Sequence, residues 1–404
     1  MIITDISEYN LRKKGRFTMK KSFRLFLFFA ISIGTILNLI MPVFGETKDN
    51  VPFEVDAKSA ILMESATGTV LYSKNADEPL PPASVTKVMT LLLVMEAIDS
   101  GTVGIDEEIS VSEYAASMGG SQVYLEPGET MTAGELIKCV AVASANDAAV
   151  ALAEAVAGSE TSFVALMNER AAQLGLKNTH FENVTGLDDD TTDHRTSAYD
   201  IAVMSRELMR HEKIFDYSKL WMDTIRNGQF GLTNTNRLIR FYRGATGLKT
   251  GSTSKAGFCI SATAERDGMH LIAVIMGSPT RDVRNEAAKT LLDWGFATYS
   301  LYKNEGGTVS DIPVKGGKTD KVGVASSPLV MLMPKSKSGT MNTEYIIDES
   351  VAAPVRKGDK VGTVRYLSNS ETLMTADLFA SEDVERVGFF DVFGGLLRAL
   401  LLKQ

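Results

Sequence analysis

Pro81-Pro82-Ala83-Ser84-Val85-Thr86-Lys87, running on into Val88-Met89-Thr90-Leu91-Leu92-Leu93-Val94-Met95-Glu96-Ala97-Ile98, is the stretch on which the reading of this 404-residue chain turns. The apolar run reads as a helix that stops at Ser100-Gly101. Residues three apart share a helical face, so the Lys87 amine comes within reach of the Ser84 hydroxyl. A serine in this place could instead be an N-cap. A capping box, however, asks for Glu or Gln three residues on, and a cation there opposes the positive end of the helix. The pair reads as a hydroxyl with a base beside it.

Working outward, Ser59–Met63 and Gly68–Tyr72, joined by Ser65-Ala66-Thr67, predict a hairpin before the helix. After it the texture stays helical to about Leu208, with alanine-rich amphipathic runs at 133–142, 148–156 and 161–174. Gly247-Leu248-Lys249-Thr250-Gly251 then leads into strand-like Gly257–Ala264 and Leu271–Gly277, and a helix from Asn285 to Trp294 closes the unit. Strands, helices, strands and a helix imply a mixed α/β (α+β) fold, a sheet with a helical insert.

Two further segments join the first. Ser144-Ala145-Asn146 adds a polar pair and Lys249-Thr250-Gly251 a cation at a strand end, so the three together hold the equipment of a metal-free acyl-transfer site. Each alone is weak, since Ser252–Lys255 and Ser300–Lys303 repeat the serine–lysine spacing and Ser73–Asn75 the serine–asparagine one. Their order and context separate the first set from these repeats.

Composition narrows the partners. Residues 1–45 hold seven Lys or Arg and two acids, then an uncharged apolar stretch from Leu25 to Phe44, which predicts a signal peptide cleaved after Gly45. Met19-Lys20-Lys21 reads as an alternative start, and an uncleaved anchor is the competing reading. Of the 42 cations and 50 acids in the chain, 35 and 48 then remain, a net charge of −13 that argues against nucleic acid. Cys139 and Cys259, both in apolar settings, are expected as buried free thiols. His180, His194, His211 and His270 lie far apart with no metal-binding spacing, so no metal and no cofactor is expected.

Texture changes again after about Lys303. Alternating or β-rich segments at 321–324, 329–333, 344–348, 361–367 and 374–380, with turns at Gly316-Gly317 and Lys357-Gly358-Asp359, predict a small β domain. From Phe389 to Gln404 the chain turns helical, with Asp391, Gly394, Gly395 and Arg398 on one stripe and Phe389, Phe393, Leu396, Leu397 and Leu400 opposite. That stretch is too short to span a bilayer.

Pro82–Lys87, Val142–Ala148 and Gly247–Gly251 resemble the three motif blocks of the D-alanyl-D-alanine carboxypeptidases, low-molecular-mass penicillin-binding proteins of the serine peptidase type. Asn178–Phe181 with Gly186–Asp188, and Leu291–Phe296, extend the resemblance over nearly everything from Asp56 onward. It implies a signal peptide (1–45), a β-lactamase/transpeptidase-like peptidase domain (46–302), a small all-β domain (303–388) and an amphipathic membrane-anchor helix (389–404). One departure stands out: the family often has Asp before Gly-x-Lys-Thr-Gly, where this chain has Thr246.

On this resemblance the chain removes the terminal D-Ala from peptidoglycan stem pentapeptides in cell-wall biogenesis, and β-lactam antibiotics acylate it. It would be secreted across the cytoplasmic membrane and held at its outer face. Ser84 is the expected nucleophile and Lys87 its general base, effective when burial and Lys249 keep it neutral. Ser144 is the expected proton shuttle, and Asn146 the holder of the substrate amide. The N–H groups of Ser84 and Ser252 form the oxyanion hole by analogy with the family. Lys249 and Thr250, in the strand with Gly251, bind the terminal carboxylate. Arg284 matches the family's assisting arginine, with Arg281 a nearby decoy and surface charge the plainer reading of both. The alternatives are a serine β-lactamase, whose deacylating glutamate could only be Glu182, and a wall protein that holds muropeptide without turning it over.

Overall fold

Ser59–Glu64 (β1) is buried along its whole length, and its residues alternate between two cores. Ile61 and Met63 enter one, Ala60 and Leu62 the other. A strand covered on both faces reads as a continuous apolar run, which is how it stands in the sequence. The computed structural model to which this strand belongs describes residues 51–401. The expected signal peptide lies outside the described residues.

β1 turns through residues 65–69 into Val70–Lys74 (β2), and the Glu64 carboxylate holds the turn by accepting from the N–H groups of Ala66 and Thr67 at 2.8 Å each. Ala245–Thr253 (β3), Gly257–Arg266 (β4) and Met269–Ser278 (β5) complete an antiparallel sheet in the order β2-β1-β5-β4-β3. Register pairs Ile61 with Val274 and Lys249 with Ser261. β3 is therefore an edge strand.

One face of the sheet carries the helical insert. Lys87–Asp99 (α1), Ala133–Lys138 (α2), Asn146–Ala157 (α3), Glu160–Gln173 (α4) and Ala198–Leu208 (α5) surround a core that includes Val88, Leu92, Val150 and Ile201. The other face is covered by Arg281–Thr298 (α6), whose Leu291, Leu292 and Phe296 pack on Leu62, Leu271 and Ile275. This helix begins four residues before its expected start, because the Thr280 hydroxyl caps it by accepting from Val283 N–H at 3.2 Å. Cys139 and Cys259 are free and buried, and burial pushes their thiols up to about 12 and about 11.

α6 runs directly into strand 299–304, which pairs with 329–334. A six-stranded sheet over residues 307–380 follows, with its own core of Val322, Val364, Tyr366 and Leu378. Strands 299–304 and 307–315 went unread in the sequence. Phe389–Leu401 (α7) ends the described chain. No single helix among the described residues is long and apolar enough to cross a membrane.

Candidate active site

The chain rises through a turn of 3-10 helix, Ala83–Thr86, before α1 begins at Lys87. Ser84 lies inside that turn, and its side chain makes no capping bond. Its hydroxyl instead stands 3.1 Å from Lys87 Nζ. Lys87 also donates to Asn146 Oδ1 at 2.6 Å and to the carbonyl of Thr185 at 2.7 Å. Burial, then the Lys249 charge, holds this amine well below its usual range, and Asp147 opposes them only in part.

The second motif sits where α2 loosens into a π-helical turn, Cys139–Ala143, and Ser144 takes a left-handed conformation, φ 64°. That kink points Ser144 at the third motif: Lys249 Nζ donates to Ser144 Oγ at 2.7 Å and to Thr250 O at 2.9 Å. Lys249 is buried, and burial together with Arg284 lowers it to about 7. Asn146 is fixed from its other end, Nδ2 donating to Gly119 O at 2.7 Å. Asp147 is fully buried and accepts from the N–H groups of Val123 and Leu125, which anchors the loop facing the site.

β3 presses against the nucleophile turn. A Cβ on Gly251 would lie 2.7 Å from Ser84 N and 2.8 Å from Val85 N, so this strand approaches so closely only because the residue is glycine. Thr250 Oγ1 donates to Thr235 Oγ1 at 2.8 Å. Ser84, Ser144, Thr250, Gly251, Ser252 and Arg284 line one groove of about 700 Å³, while Lys87, Asn146 and Lys249 lie buried beneath them. The structure thus brings together every residue assigned to the carboxypeptidase site in the sequence. Arg284 is 3 % exposed, so the surface-charge reading does not hold for it. Its guanidinium bonds Asn285 Oδ1 at 2.9 Å and Cys259 O at 3.3 Å, and burial lowers it to about 10. Arg281 is exposed and lines the same groove.

Glu182 is occupied elsewhere, accepting from the N–H groups of Thr192 and Asp193 and from the Thr192 hydroxyl, and it does not line the groove. Thr246, where the family often has Asp, closes a neutral cluster, bonded to Thr263 Oγ1 at 2.7 Å and His270 Nε2 at 2.6 Å. Thr185 and Thr235 went unnoticed in the sequence, and Asp147, inside the Val142–Ala148 block, was given no role. A carbonyl carries no residue signature, and Thr235 acts through Thr250 rather than within a motif. Among the described residues no group of three or more His, Cys, Asp or Glu is placed to hold a metal ion.

Residues 45–280 match the family model described as D-alanyl-D-alanine carboxypeptidase. The chain belongs to this D-alanyl-D-alanine carboxypeptidase family. Residues 296–386 match the C-terminal domain of penicillin-binding protein 5. The carboxypeptidase family assignment is supported by relatives along most of the chain. It is 44 % identical to D-alanyl-D-alanine carboxypeptidase DacF of Bacillus subtilis over 83 % of this chain and 87 % of that protein. It is 32 % identical to DacA of Escherichia coli over 83 % and 86 %. The structure of penicillin-binding protein 5 from Haemophilus influenzae superposes with a TM-score of 0.72 at 31 % identity, covering 83 % of this chain and 99 % of that one. Penicillin-binding protein D2 of Listeria monocytogenes, solved in an ampicillin-bound form, is 30 % identical with a TM-score of 0.56 over 60 % of this chain and 99 % of that one. The carboxypeptidase is thus a low-molecular-mass penicillin-binding protein of the serine peptidase type, with a peptidase domain followed by a β domain.

Proposed function

We propose that the groove releases D-alanine from stem peptides ending in D-Ala-D-Ala through an ester on Ser84, and that penicillins acylate the same hydroxyl. The carrying observation is the cage around Lys87. A neutral amine has two N–H groups and one lone pair. Donation to Asn146 Oδ1 and Thr185 O leaves the lone pair for the Ser84 proton, 3.1 Å away. Once protonated, the ammonium has three donors for the same three oxygens. Both forms are satisfied without rearrangement, which suits a base that takes a proton in one step and returns it in the next.

The peptide extends along the free edge of β3, adding a strand to the sheet. The N–H groups of Ser84 and Ser252 receive the oxyanion. Ser144 passes a proton to the departing amine, with Lys249 behind it, and Asn146 also steadies the substrate amide. Lys249, Thr250 and Arg284 hold the terminal carboxylate. Deacylation reuses Lys87, and the occupied Glu182 argues against the lactamase alternative.

Attachment belongs to the same proposal. The leader at 1–45 takes the protein across the cytoplasmic membrane, and the terminal helix holds it at the outer face. Phe389 and Phe390, 77 % and 85 % exposed, support this reading. The test is incubation with a pentapeptide ending in D-Ala-D-Ala beside labelling by a fluorescent penicillin. D-Alanine release and a slowly reversed label are expected, both abolished in Ser84→Ala with little change in melting temperature. Peptide binding with no release and no label would leave only a muropeptide binder, and label lost within seconds would favour a lactamase.

A further inference from the structure

Tyr124 holds a left-handed backbone, φ 57°, although it is neither glycine nor asparagine. A bulky residue keeps that conformation only where its surroundings fix it. Its ring is no anchor, since Tyr124 is 66 % exposed. The fixing comes from Arg226. This guanidinium donates to the carbonyls on either side of the Tyr124 Cα, from Nη1 to Val123 O and from Nη2 to Tyr124 O, at 3.0 Å each. Nε and Nη2 also donate to Glu129 Oε1 and Oε2 at 2.6 and 2.9 Å, a bidentate pairing that holds the fork in place. Arg226 stands at the turn of a hairpin, Met222–Ile225 with Phe230–Thr233, outside all three motifs, and it does not line the groove.

The strip that Arg226 holds from one side is held from the other by the second motif. Asp147 accepts from the N–H groups of Val123 and Leu125 at 3.0 and 3.1 Å. One residue earlier, Asn146 donates its backbone N–H to Ser121 O and its Nδ2 to Gly119 O, at 2.7 Å each. The approach is close, for a Cβ on Gly120 would come within 2.8 Å of Asn146 Nδ2. Residues 119–125 therefore decide which way the Asn146 amide faces. With Nδ2 on Gly119 O, Oδ1 is left to accept from Lys87 at 2.6 Å. An amide turned over would offer Lys87 a donor instead, and its ammonium form would lose one of three acceptors.

We propose that Arg226 is a positioning residue for the Lys87 base. By bracing Tyr124 in its left-handed conformation it fixes the strip 119–125, and with it the Asn146 amide that receives Lys87. The inference rests on the D-Ala-releasing reading above and adds to it a residue that touches neither the nucleophile nor the groove. Without the guanidinium, both carbonyls lose their donor and Tyr124 relaxes toward negative φ. Gly119 O then moves relative to Asn146, and the amide no longer has one orientation. The loss falls on proton transfer at Ser84, because the groove-lining residues of β3 and the carboxylate cations keep their places.

Acylation by a chromogenic β-lactam and D-alanine release from a pentapeptide test this. Arg226→Gln should lower the acylation rate and kcat by about 10- to 100-fold, the reach of a displacement near 1 Å, with KM little changed. Tyr124→Gly removes the need for a brace, because glycine takes positive φ freely. That variant should keep the unaltered rate, and in its background Arg226→Gln should cost little. In an Asn146→Ala background Arg226→Gln should also add little, since residues that act through one group are not additive. The full loss from Arg226→Gln in either background would overturn the proposal. So would an acylation rate that holds while the melting point falls, which would leave Arg226 a support of the fold. Acylation of the unaltered enzyme without D-alanine release would overturn the D-Ala-releasing reading alone, since the acylation measurements still report on Arg226. No acylation at all would overturn both.

Discussion

The imidazole of His194 donates from Nε2 to the Thr86 hydroxyl at 2.8 Å. The tautomer is set from the other side, because Nδ1 accepts the N–H of Glu182 at 3.0 Å. Thr86 Oγ1 passes the constraint on by donating to the carbonyl of Ala83 at 2.9 Å. That carbonyl shares a planar peptide with the N–H of Ser84, so fixing one end aims the other. A Cβ on Gly186 would overlap the same oxygen, which confines the peptide further. His194 thereby acts as a positioning residue for the proposed oxyanion donor.

Thr86→Val and His194→Ala should each lower kcat by about 10- to 100-fold, less than outright loss of an oxyanion donor and with KM little changed. His194→Gln keeps a donor for Thr86 and should retain most of the rate. Stopped-flow acylation with a chromogenic β-lactam separates the effect from folding. A melting point that falls while the acylation rate holds would assign these residues to stability alone.

The same histidine ties stability to pH. Burial lowers both His194 and His270 to about 4, so each is neutral in the folded protein and gains its proton on unfolding at mildly acid pH. The unfolded chain then binds more protons between pH 4 and about 6.5, and stability rises with pH across that window. The contribution is complete above about 6.5 and is lost as pH falls toward 4. For the buried His194 it amounts to something on the order of 3 kcal/mol. Thermal melts between pH 4 and 7 should show this slope, and His194→Gln should flatten part of it. An unchanged slope in that variant would remove His194 from the account.

Lys249 predicts an alkaline limb in the rate profile. Lowered to about 7 by burial and Arg284, it loses its charge in the free enzyme as pH rises through neutrality. Because kcat/KM reports the free enzyme, it should fall there for substrates with a free terminal carboxylate and not for C-terminal amides. Lys249→Ala and Arg284→Ala should likewise reduce turnover of the acid about 10-fold more than of the amide. Equal losses on both would reassign these cations to the fold.

The sequence made the site legible where one side chain sits within a helical turn or a strand of its partner. Ser84 and Lys87 are three residues apart, and Ser144 with Asn146 and Lys249 with Gly251 each fit within one short motif. What joins those motifs was not legible. Lys87 reaches the Thr185 carbonyl 98 residues away, and Thr86 meets His194 across 108. Neither contact follows from periodicity, and a histidine in a polar loop reads as unremarkable. In the β domain 321–324, 329–333, 344–348, 361–367 and 374–380 were read as β-rich, whereas 299–304 and 307–315 were not, and burial does not separate the two sets, since the strand at 341–347 has no buried position.

Lys87→Ala tests whether one base serves both half-reactions. Acylation and deacylation should slow together by at least about 100-fold, the usual reach of a positioned base. Burst and steady-state kinetics with a labelled penicillin measure the two separately. Slowing of acylation alone would require a second base for the ester, and Glu182 would have to leave its bonds to Thr192 and Asp193 to supply it.

Deleting residues 389–404 should free the enzyme from membranes and leave its activity on soluble pentapeptide intact. In α7 the side chains of Phe389, Phe390, Val392, Phe393, Leu397, Leu400 and Leu401 are all about half exposed or more. Burial of that apolar face among acyl chains is the driving force available to it. Asp391 and Arg398 are the charges on the described helix, so attraction to anionic lipid is a minor contribution and binding should resist moderate salt. If the helix instead completed the core of the β domain, those aromatic rings would be covered and truncation would lower the melting point. Co-sedimentation with phospholipid vesicles, beside melts of full-length and truncated protein, decides between the two. Loss of sedimentation with an unchanged melting point is expected. Retained sedimentation with a lowered melting point would remove the helix as the anchor.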